Sequence, residues 1–459
     1  RKEKVSMKQL FILSLAICLI TGCRIYKPYS RPEVNTDGLY RDMTVEDTAT
    51  VASLSWKELF TDNLLQSLIE RGLEYNTDLN IAHLRVKEAE AVLMNARLSY
   101  LPSLSLNPEG GVSSFDGSAP GKTYNLALSA SWEIDVFGKV TNAKRGAKAA
   151  LEGSRAYEQA VQTQLVATIA NSYYTLLMLD RQLVINKETL ESWSRTVKTL
   201  EALKRAGESN DTAILQAKAN HLALEASILS IQKSIRETEN SLSVLLAMAP
   251  QTIERKTLEE QSFSEELKVG VPLQLLSNRP DIRQAEFNLM QAFYSTNAAR
   301  SAFYPNIMLS GTAGWTNNGS GVILNPGSLL LSAVGSLAQP LFNKGTNIAN
   351  LKVAKARQEE ASLSFQQSVL NAGKEVNDAL VQWQVAQQRI EIGKQQVGAL
   401  QEAVHKTELL MQYSSTNYLE VLTAQKSLLD AELVQAQDQF DKIQGVINLF
   451  HALGGSRFQ

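Results

Sequence analysis

Residues 124–134 read YNLALSASWEI, and from residue 139 to residue 205 a helical pattern runs on without a break. In the short stretch the even positions are Tyr124, Leu126, Leu128, Ala130, Trp132 and Ile134, and the odd ones are Asn125, Ala127, Ser129, Ser131 and Glu133. A period of two over eleven residues is the pattern and length of a membrane-crossing β-strand, and taken alone it equally suits a half-buried strand of a soluble sandwich. The helical run would extend roughly 100 Å at 1.5 Å per residue, where globular helices average about 11–12 residues. A short amphipathic strand joined to a very long rod sets the fold class as mainly α with a small β part.

The same order of elements occurs twice. Asp78-Leu79-Asn80 returns as Asp281-Ile282-Arg283, and Ala96-Arg97 with Tyr100 and Pro102 returns as Ala299-Arg300 with Phe303 and Pro305. Phe137-Gly138-Lys139 is matched by Phe342-Asn343-Lys344, which sets Pro340 opposite Asp135, and Leu203, Asn210, Leu215 and Ala217 return as Leu410, Asn417, Leu422 and Ala424. The offset grows along the chain, and two copies of one unit are expected. Each copy has a helical stretch (about 62–99, then 280–302) that stops before proline. Two strands follow, near 103–115 and 123–136, then near 306–316 and 328–341, separated by turn-rich stretches. A long helix comes next (139–205, then 344–413), and a last one closes the copy (211–249, then 417–453).

Leu224, Ile228, Ile231, Ile235, Thr238, Leu242 and Leu245 step by four and three, as do Leu429, Leu433, Ala436, Phe440, Ile443, Ile447 and Phe450. This is a coiled-coil seam, and it reads as packing. Arg279-Pro280-Asp281 reads as a helix start, with proline in the first turn and an acid at the positive end.

With 45 basic and 47 acidic residues, the chain has no basic excess to neutralise phosphates, so a nucleic-acid partner is not expected. Its two cysteines, Cys18 and Cys23, both stand near the start, which excludes a disulfide framework for the body. From Met7, the expected start, a lysine precedes the apolar run Leu10–Ile20, too short to span a bilayer but suited to a signal peptide. Ile20-Thr21-Gly22-Cys23 resembles a bacterial lipobox, so residues 1–22 are expected to be removed and Cys23 lipidated, anchoring the chain in membrane lipid.

Four strands in one chain cannot close a barrel, since the smallest membrane barrels have about eight. An open sheet in hydrocarbon leaves its edges unpaired at several kcal/mol per group. If these strands sit in a membrane, chains must combine, two giving eight strands and three giving twelve, and a conducting pore favours twelve.

Four stretches carry a resemblance: Trp56–Asp62 (WKELFTD), Ser131–Lys139 (SWEIDVFGK), Pro272–Glu286 (PLQLLSNRPDIRQAE) and Tyr418–Glu432 (YLEVLTAQKSLLDAE). In this order across a duplicated chain they resemble the outer-membrane efflux factors of the trimeric channel-tunnel type, lipoprotein branch, that serve RND pumps. The resemblance implies a homotrimer in which four strands per chain build a twelve-stranded transmembrane barrel, while long antiparallel helical hairpins form a trimeric α-barrel across the periplasm. It implies an equatorial connection at 250–279 between repeats at 62–249 and 280–454, after a lipidated segment at 23–61 and before a tail at 455–459. A periplasmic adaptor protein and an inner-membrane RND-type pump are the implied partners, with outer-membrane lipid around the barrel. The chain is then a passive exit duct in the outer membrane, with no cofactor and no bond chemistry.

The helix–helix turns at 204–211 and 412–420 are the implied periplasmic tips. Lys204, Arg205, Gly207, Glu208, Asn210, Asp211, Glu408, Tyr413, Asn417 and Tyr418 are the candidate adaptor or gate residues there. Gly207 also suits a helix C-cap, and Asn210-Asp211 the start of the next helix. The four histidines are scattered, no phosphate-binding glycine loop occurs, and catalysis is not expected. Two alternatives are a lipid-anchored coiled-coil scaffold or adhesin without a barrel, and the duct of a protein or peptide secretion system.

Overall fold

The computed structural model of the chain describes residues 26–34, 39, 55–114, 116–261, 279–316, 328–413 and 418–455. Cys23, Asn417, most of the 250–279 connection and the turn-rich stretch at 317–327 lie outside them.

The elements run α1 (Trp56–Leu59), α2 (Asn63–Tyr75), α3 (Thr77–Leu98), β1 (Ser103–Ser113), β2 (Gly121–Ile134), α4 (Lys139–Arg205), α5 (Asp211–Leu245), α6 (Pro280–Ser301), β3 (Asn306–Thr316), β4 (Ser328–Ala338), α7 (Thr346–Gln412) and α8 (Tyr418–Ala452). The expected first helix, 62–99, is cut in two at Asn76, and the short α1 stands before it. Ser55 and Glu58 form a capping box on α1, Asp62 caps α2 by accepting from Leu64 N–H, and Asn76 ends α2 and accepts from Leu79 N–H at 3.0 Å. Pro280 opens α6 as its first residue, where a missing N–H costs nothing.

Both long helices have 67 residues and both closing helices have 35. The offset between copies does not drift. It is 203 from Thr77/Pro280 and Ser103/Asn306, and 207 from Gly121/Ser328 and Lys139/Thr346. The whole difference lies in the connection between the two strands of each copy. Gly138 (φ +71°) therefore corresponds to Gly345 (φ +79°), each in left-handed backbone just before its long helix, and Pro340 stands opposite Glu133 instead of Asp135.

The chain forms two compact units, and each sequence copy contributes to both. One comprises Arg1–Glu33, Ala89–Leu151 and Glu286–Leu363, the other Val34–Glu88, Glu152–Ala285 and Ser364–Gln459. The first unit holds a single antiparallel sheet in the order β1-β2-β3-β4, with β1 and β4 as its edges. Leu106 pairs with Leu128, Leu128 with Ala313, and Ala313 with Leu331, so these residues share a face. Leu104, Leu126, Trp132, Leu309, Trp315, Leu329 and Leu337 lie on it too, and all seven are exposed. The opposite face bears Ser103, Ser105, Asn107, Ser129, Ser131, Ser310, Thr312, Ser332 and Ser336. Leu329-Leu330-Leu331, whose alternation the sequence leaves unclear, is resolved by this register. Leaving that many large apolar side chains in water would cost of order 10 kcal/mol even after halving for partial exposure.

The second unit is held by the helices. Phe60, Leu65, Ile69, Tyr173, Tyr174 and Phe450 are fully buried, and Phe60 meets Phe450 edge-on at 6.2 Å. Leu224, Ile228, Ile235 and Leu242 of α5 are buried, as are Leu429, Ala436, Phe440, Ile443, Ile447 and Phe450 of α8, along the seam expected from the sequence. Among the described residues no helix is long and apolar enough to cross a membrane.

Candidate functional site

The turn between α4 and α5 is built by caps. Glu208 N–H donates to Leu203 C=O at 2.9 Å and Gly207 N–H to Lys204 C=O at 3.0 Å, with Gly207 at φ +83°. This pair of bonds satisfies carbonyls that the helix end leaves open, and the left-handed residue between them favours glycine. Asn210 Oδ1 then accepts from Ala213 N–H at 2.9 Å and opens α5. Lys204 forms an ion pair with Asp211 across the turn. Arg205 ends α4 and is exposed.

Shifting by 207 residues carries each of these groups onto the second turn. Lys204 and Asp211 become Met411 and Tyr418, an ion pair replaced by an apolar contact. Met411, Leu200, Ala213, Ile214, Ala217, Val421 and Leu422 form one buried cluster, with Tyr418 packed against it. Tyr413 is exposed. One turn further along, Glu201 pairs with Lys218 at 2.7 Å between α4 and α5. Their counterparts are Glu408 and Gln425, and Gln425 Nε2 donates to Glu408 Oε1 at 2.8 Å. Unlike Lys218, Gln425 is buried and also reaches outside its own hairpin, donating to Thr196 Oγ1 of α4 at 3.0 Å. Of the sequence candidates, Lys204 and Asp211 meet each other, Glu408 meets Gln425, and Asn417 lies outside the described residues. Sequence reading missed Thr196, Gln425, Lys218 and Glu201. The repeat offset would have exposed the last three, because it pairs Lys218 with Gln425 and Glu201 with Glu408.

A second set of polar groups lies buried in the same unit. Asp62 accepts from Tyr173 Oη at 2.7 Å and Gln261 Nε2 at 3.0 Å. Burial, the largest influence on this carboxyl, pushes its pKa up, but the hydrogen bonds from Tyr173, Gln261 and Leu64 and the Lys256 charge outweigh it and hold the pKa below the usual range. Burial foremost, then the Asp62 bond, raises Tyr173. Arg255 clamps Asp180 at 2.5 and 3.0 Å and Glu239 at 2.6 Å. Arg279, 2 % exposed, holds Asp281 with two bonds of 2.9 and 2.7 Å, Glu375 at 2.7 Å and Ala452 C=O at 2.7 Å. Within the SNRPD stretch, then, arginine ties the start of α6 to α7 and to the end of α8, and proline opens the helix. The WKELFTD stretch likewise supplies Trp56, Leu59 and Phe60 to the core and Asp62 to the network.

These groups fix and cap helices. The model of one family, described as outer membrane efflux protein, matches residues 68–248 and 271–455. The chain belongs to the outer membrane efflux protein family. It is an outer-membrane efflux channel. Cation efflux system protein CusC of Escherichia coli O6:H1 is 30% identical over 454 residues, covering 97% of each chain. The probable outer membrane lipoprotein SilC of Salmonella typhimurium is 27% identical, covering 98% of this chain and 99% of its own. The crystal structure of the open state of the Neisseria gonorrhoeae MtrE outer membrane channel superimposes with a TM-score of 0.84 at 28% identity, covering 94% of this chain and 98% of that one.

Proposed function

We propose that three copies of this chain form the passive exit duct of a tripartite efflux pump, with a periplasmic adaptor and an inner-membrane RND-type pump supplying cargo and energy. The observation that carries this reading is the four-stranded sheet with one apolar face, one polar face and two open edges. Eleven residues at about 3.3 Å each, tilted near 45°, cover roughly 25 Å, the height of a barrel's apolar band. Edges left open in hydrocarbon are too costly to persist, so β1 of one copy pairs with β4 of the next, and three copies close a ring of twelve strands enclosing a polar lumen. Cys23 is the lipid attachment site, three residues before Tyr26.

The hairpins α4/α5 and α7/α8 form the periplasmic tunnel, and their turns are the tips, where Lys204, Arg205, Gly207, Glu208, Asn210, Asp211, Glu408, Tyr413, Asn417 and Tyr418 meet the adaptor or control the opening. The Glu408–Gln425–Thr196 chain is the latch that ties one hairpin to the other. Residues 62–249 and 280–454 act as equivalent halves of each protomer.

The test is purification in detergent followed by unheated SDS electrophoresis and planar-bilayer recording. A heat-modifiable trimer that conducts supports the duct. A species that runs as a monomer without heating, or a trimer with no conductance even when the latch is cut, overturns it. A scaffold without a barrel would leave the membrane once Cys23 is replaced.

A further inference from the structure

In the unit that carries the sheet, the helices joined to it hold an unusual charge pattern. The first twelve residues of α4 and the first twelve of α7 contain seven basic residues and no acidic one. The helix dipole acts within the first turn, where only Lys139 of the seven stands, so the positive field of the zone comes chiefly from the side chains themselves. Asp135 caps α4, and Glu133 takes Lys139 at 2.9 Å. Lys148, Lys344, Lys352, Lys355 and Arg357 have no ion pair among the described residues, and all five are exposed. The chain as a whole is slightly acidic, at −2, so the basic zone is local and not a general property of the surface.

Its position says what it faces. The apolar face of the sheet ends beside these helix starts in a group of aromatic rings. Trp132 Nε1 donates to Tyr100 C=O at 2.9 Å, Phe137 stacks on Tyr304 at 5.0 Å, and Tyr26 Oη donates to Phe137 C=O at 3.0 Å. Rings with one apolar and one polar side mark headgroup level at a membrane boundary. Just beyond them the N-terminal strap (residues 27–32) crosses α6 and α7 and encloses a cavity of about 490 Å³. Lys27, Arg300 and Lys355 line it with Tyr29, Phe293 and a single acid, Glu359. Three cations over an aromatic and aliphatic floor, open on one side, match a phosphate ester with acyl chains leaving toward the sheet.

We infer that this zone binds anionic phospholipid headgroups of the leaflet adjoining the helices, with the Lys27–Arg300–Lys355 cavity as the seat of one phosphate. The inference rests on the sheet lying in the outer membrane. Juxtamembrane basic residues attract anionic lipid by a factor of about five each, so three of them select strongly over neutral lipid.

The experiment uses full-length processed protein in nanodiscs of phosphatidylcholine with one quarter phosphatidylglycerol, followed by detergent washing and a count of retained lipid by mass spectrometry. Wild type is expected to retain phosphatidylglycerol several-fold above its share in the disc. The Lys27→Gln/Arg300→Gln/Lys355→Gln variant is expected to lose that enrichment, while Lys122→Gln, in β2 far from these helix starts, keeps it. Equal retention of both lipids by wild type overturns the inference, as does enrichment that survives the triple substitution. A triple variant that loses adaptor capture but keeps lipid enrichment assigns the zone to a protein partner and also overturns it. Unheated SDS migration separates the failures: no trimer in wild type means the duct reading has failed, and a conducting trimer without lipid preference means only this inference has.

Discussion

Replacing Gln425 by leucine tests the latch directly, because leucine preserves volume in the buried site and removes every hydrogen bond. Gln425 Nε2 gives up bonds to Glu408 at 2.8 Å and Thr196 at 3.0 Å, with a longer one to Ser192 Oγ at 3.4 Å, and its Oε1 no longer accepts from Thr196 Oγ1 at 3.4 Å. A hydrogen bond to a charged acceptor contributes about 1.5–3 kcal/mol and a neutral one about 0.5–1.5. Glu408 is only half-buried and regains water when released, and Thr196 keeps a 3.3 Å bond to Ser192 C=O. Discounting for both leaves about 1.5–2 kcal/mol of lost closure, or roughly a ten- to thirtyfold rise in the open fraction of the tip, at 1.4 kcal/mol per decade.

The assay is single-channel recording in a planar bilayer, comparing open-time fractions at fixed voltage. The ion pairs of the first hairpin supply the contrast. Lys204–Asp211 has 46% and 72% of its side-chain surface exposed, and Lys218–Glu201 has 50% and 42%, so solvent and salt screen both. Lys204→Ala and Lys218→Ala are expected to raise opening less than Gln425→Leu, and their effect should fade at molar salt while the Gln425→Leu effect persists. An unchanged open fraction in Gln425→Leu, or a larger effect from Lys204→Ala, refutes the latch.

Four further outcomes are expected. A Cβ at Gly314 would sit 2.2 Å from Leu126 O and 2.6 Å from Ala127 Cα, backbone atoms that cannot step aside, so Gly314→Ala should diminish the heat-resistant oligomer on unheated gels. Arg279→Leu leaves the Ala452 carbonyl unpaired and frees Asp281 and Glu375, whose side chains are 46% and 43% exposed and regain water, so it should cost about 1.5–3 kcal/mol in chemical denaturation, with Arg279→Lys a poor rescue because one ammonium cannot span the same acceptors. The Asp62 carboxyl is held below its unfolded pKa of about 4, so its contribution is complete above that pH and lost as pH falls through the lower folded value; Asp62→Asn should flatten the acid limb of a stability–pH curve below about pH 4 while lowering stability at neutrality. Cys23→Ser should abolish fatty-acid labelling yet leave the protein in the outer-membrane fraction, since the strands hold it there; release into the soluble fraction would favour the scaffold alternative.

Length and period made the elements legible in the sequence, and chemistry at a distance stayed hidden. Lys139–Arg205 was visible end to end, because a helix of this length needs only local pattern and Gly138 before it. The break at Asn76 was not, since it rests on an amide that reaches Leu245 C=O at 2.9 Å, a partner 169 residues away. Strand register was likewise beyond reach until pairing set Leu329 and Leu331 on the face of Leu128. At the turns, Gly207 and Asn210 announced their capping roles locally. Gln425, by contrast, lies in an ordinary-looking helical stretch, and its partners Thr196 and Glu408 come from two other helices.

The duplication sharpens the reading of the tips. Because α4 and α7 have equal lengths, as do α5 and α8, the two hairpins are equivalent rods, and any difference in their motion must come from side chains. In the first hairpin both ion pairs close on the hairpin itself, Lys204 to Asp211 and Lys218 to Glu201. In the second, the counterpart of Lys218 bonds within its hairpin to Glu408 and also outward to Thr196. The polar pairs of the first hairpin thus close within it, whereas a buried amide of the second bonds to both hairpins beside the apolar clusters that they share. On the duct reading, opening shifts α7/α8 against α4/α5, and what it must break is this amide contact and the apolar packing of Met411 and Val421 on Leu200 and Ile214. The cost of exposing that cluster sets the resting closure, and the amide, which bonds in one alignment only, decides where the hairpins come to rest.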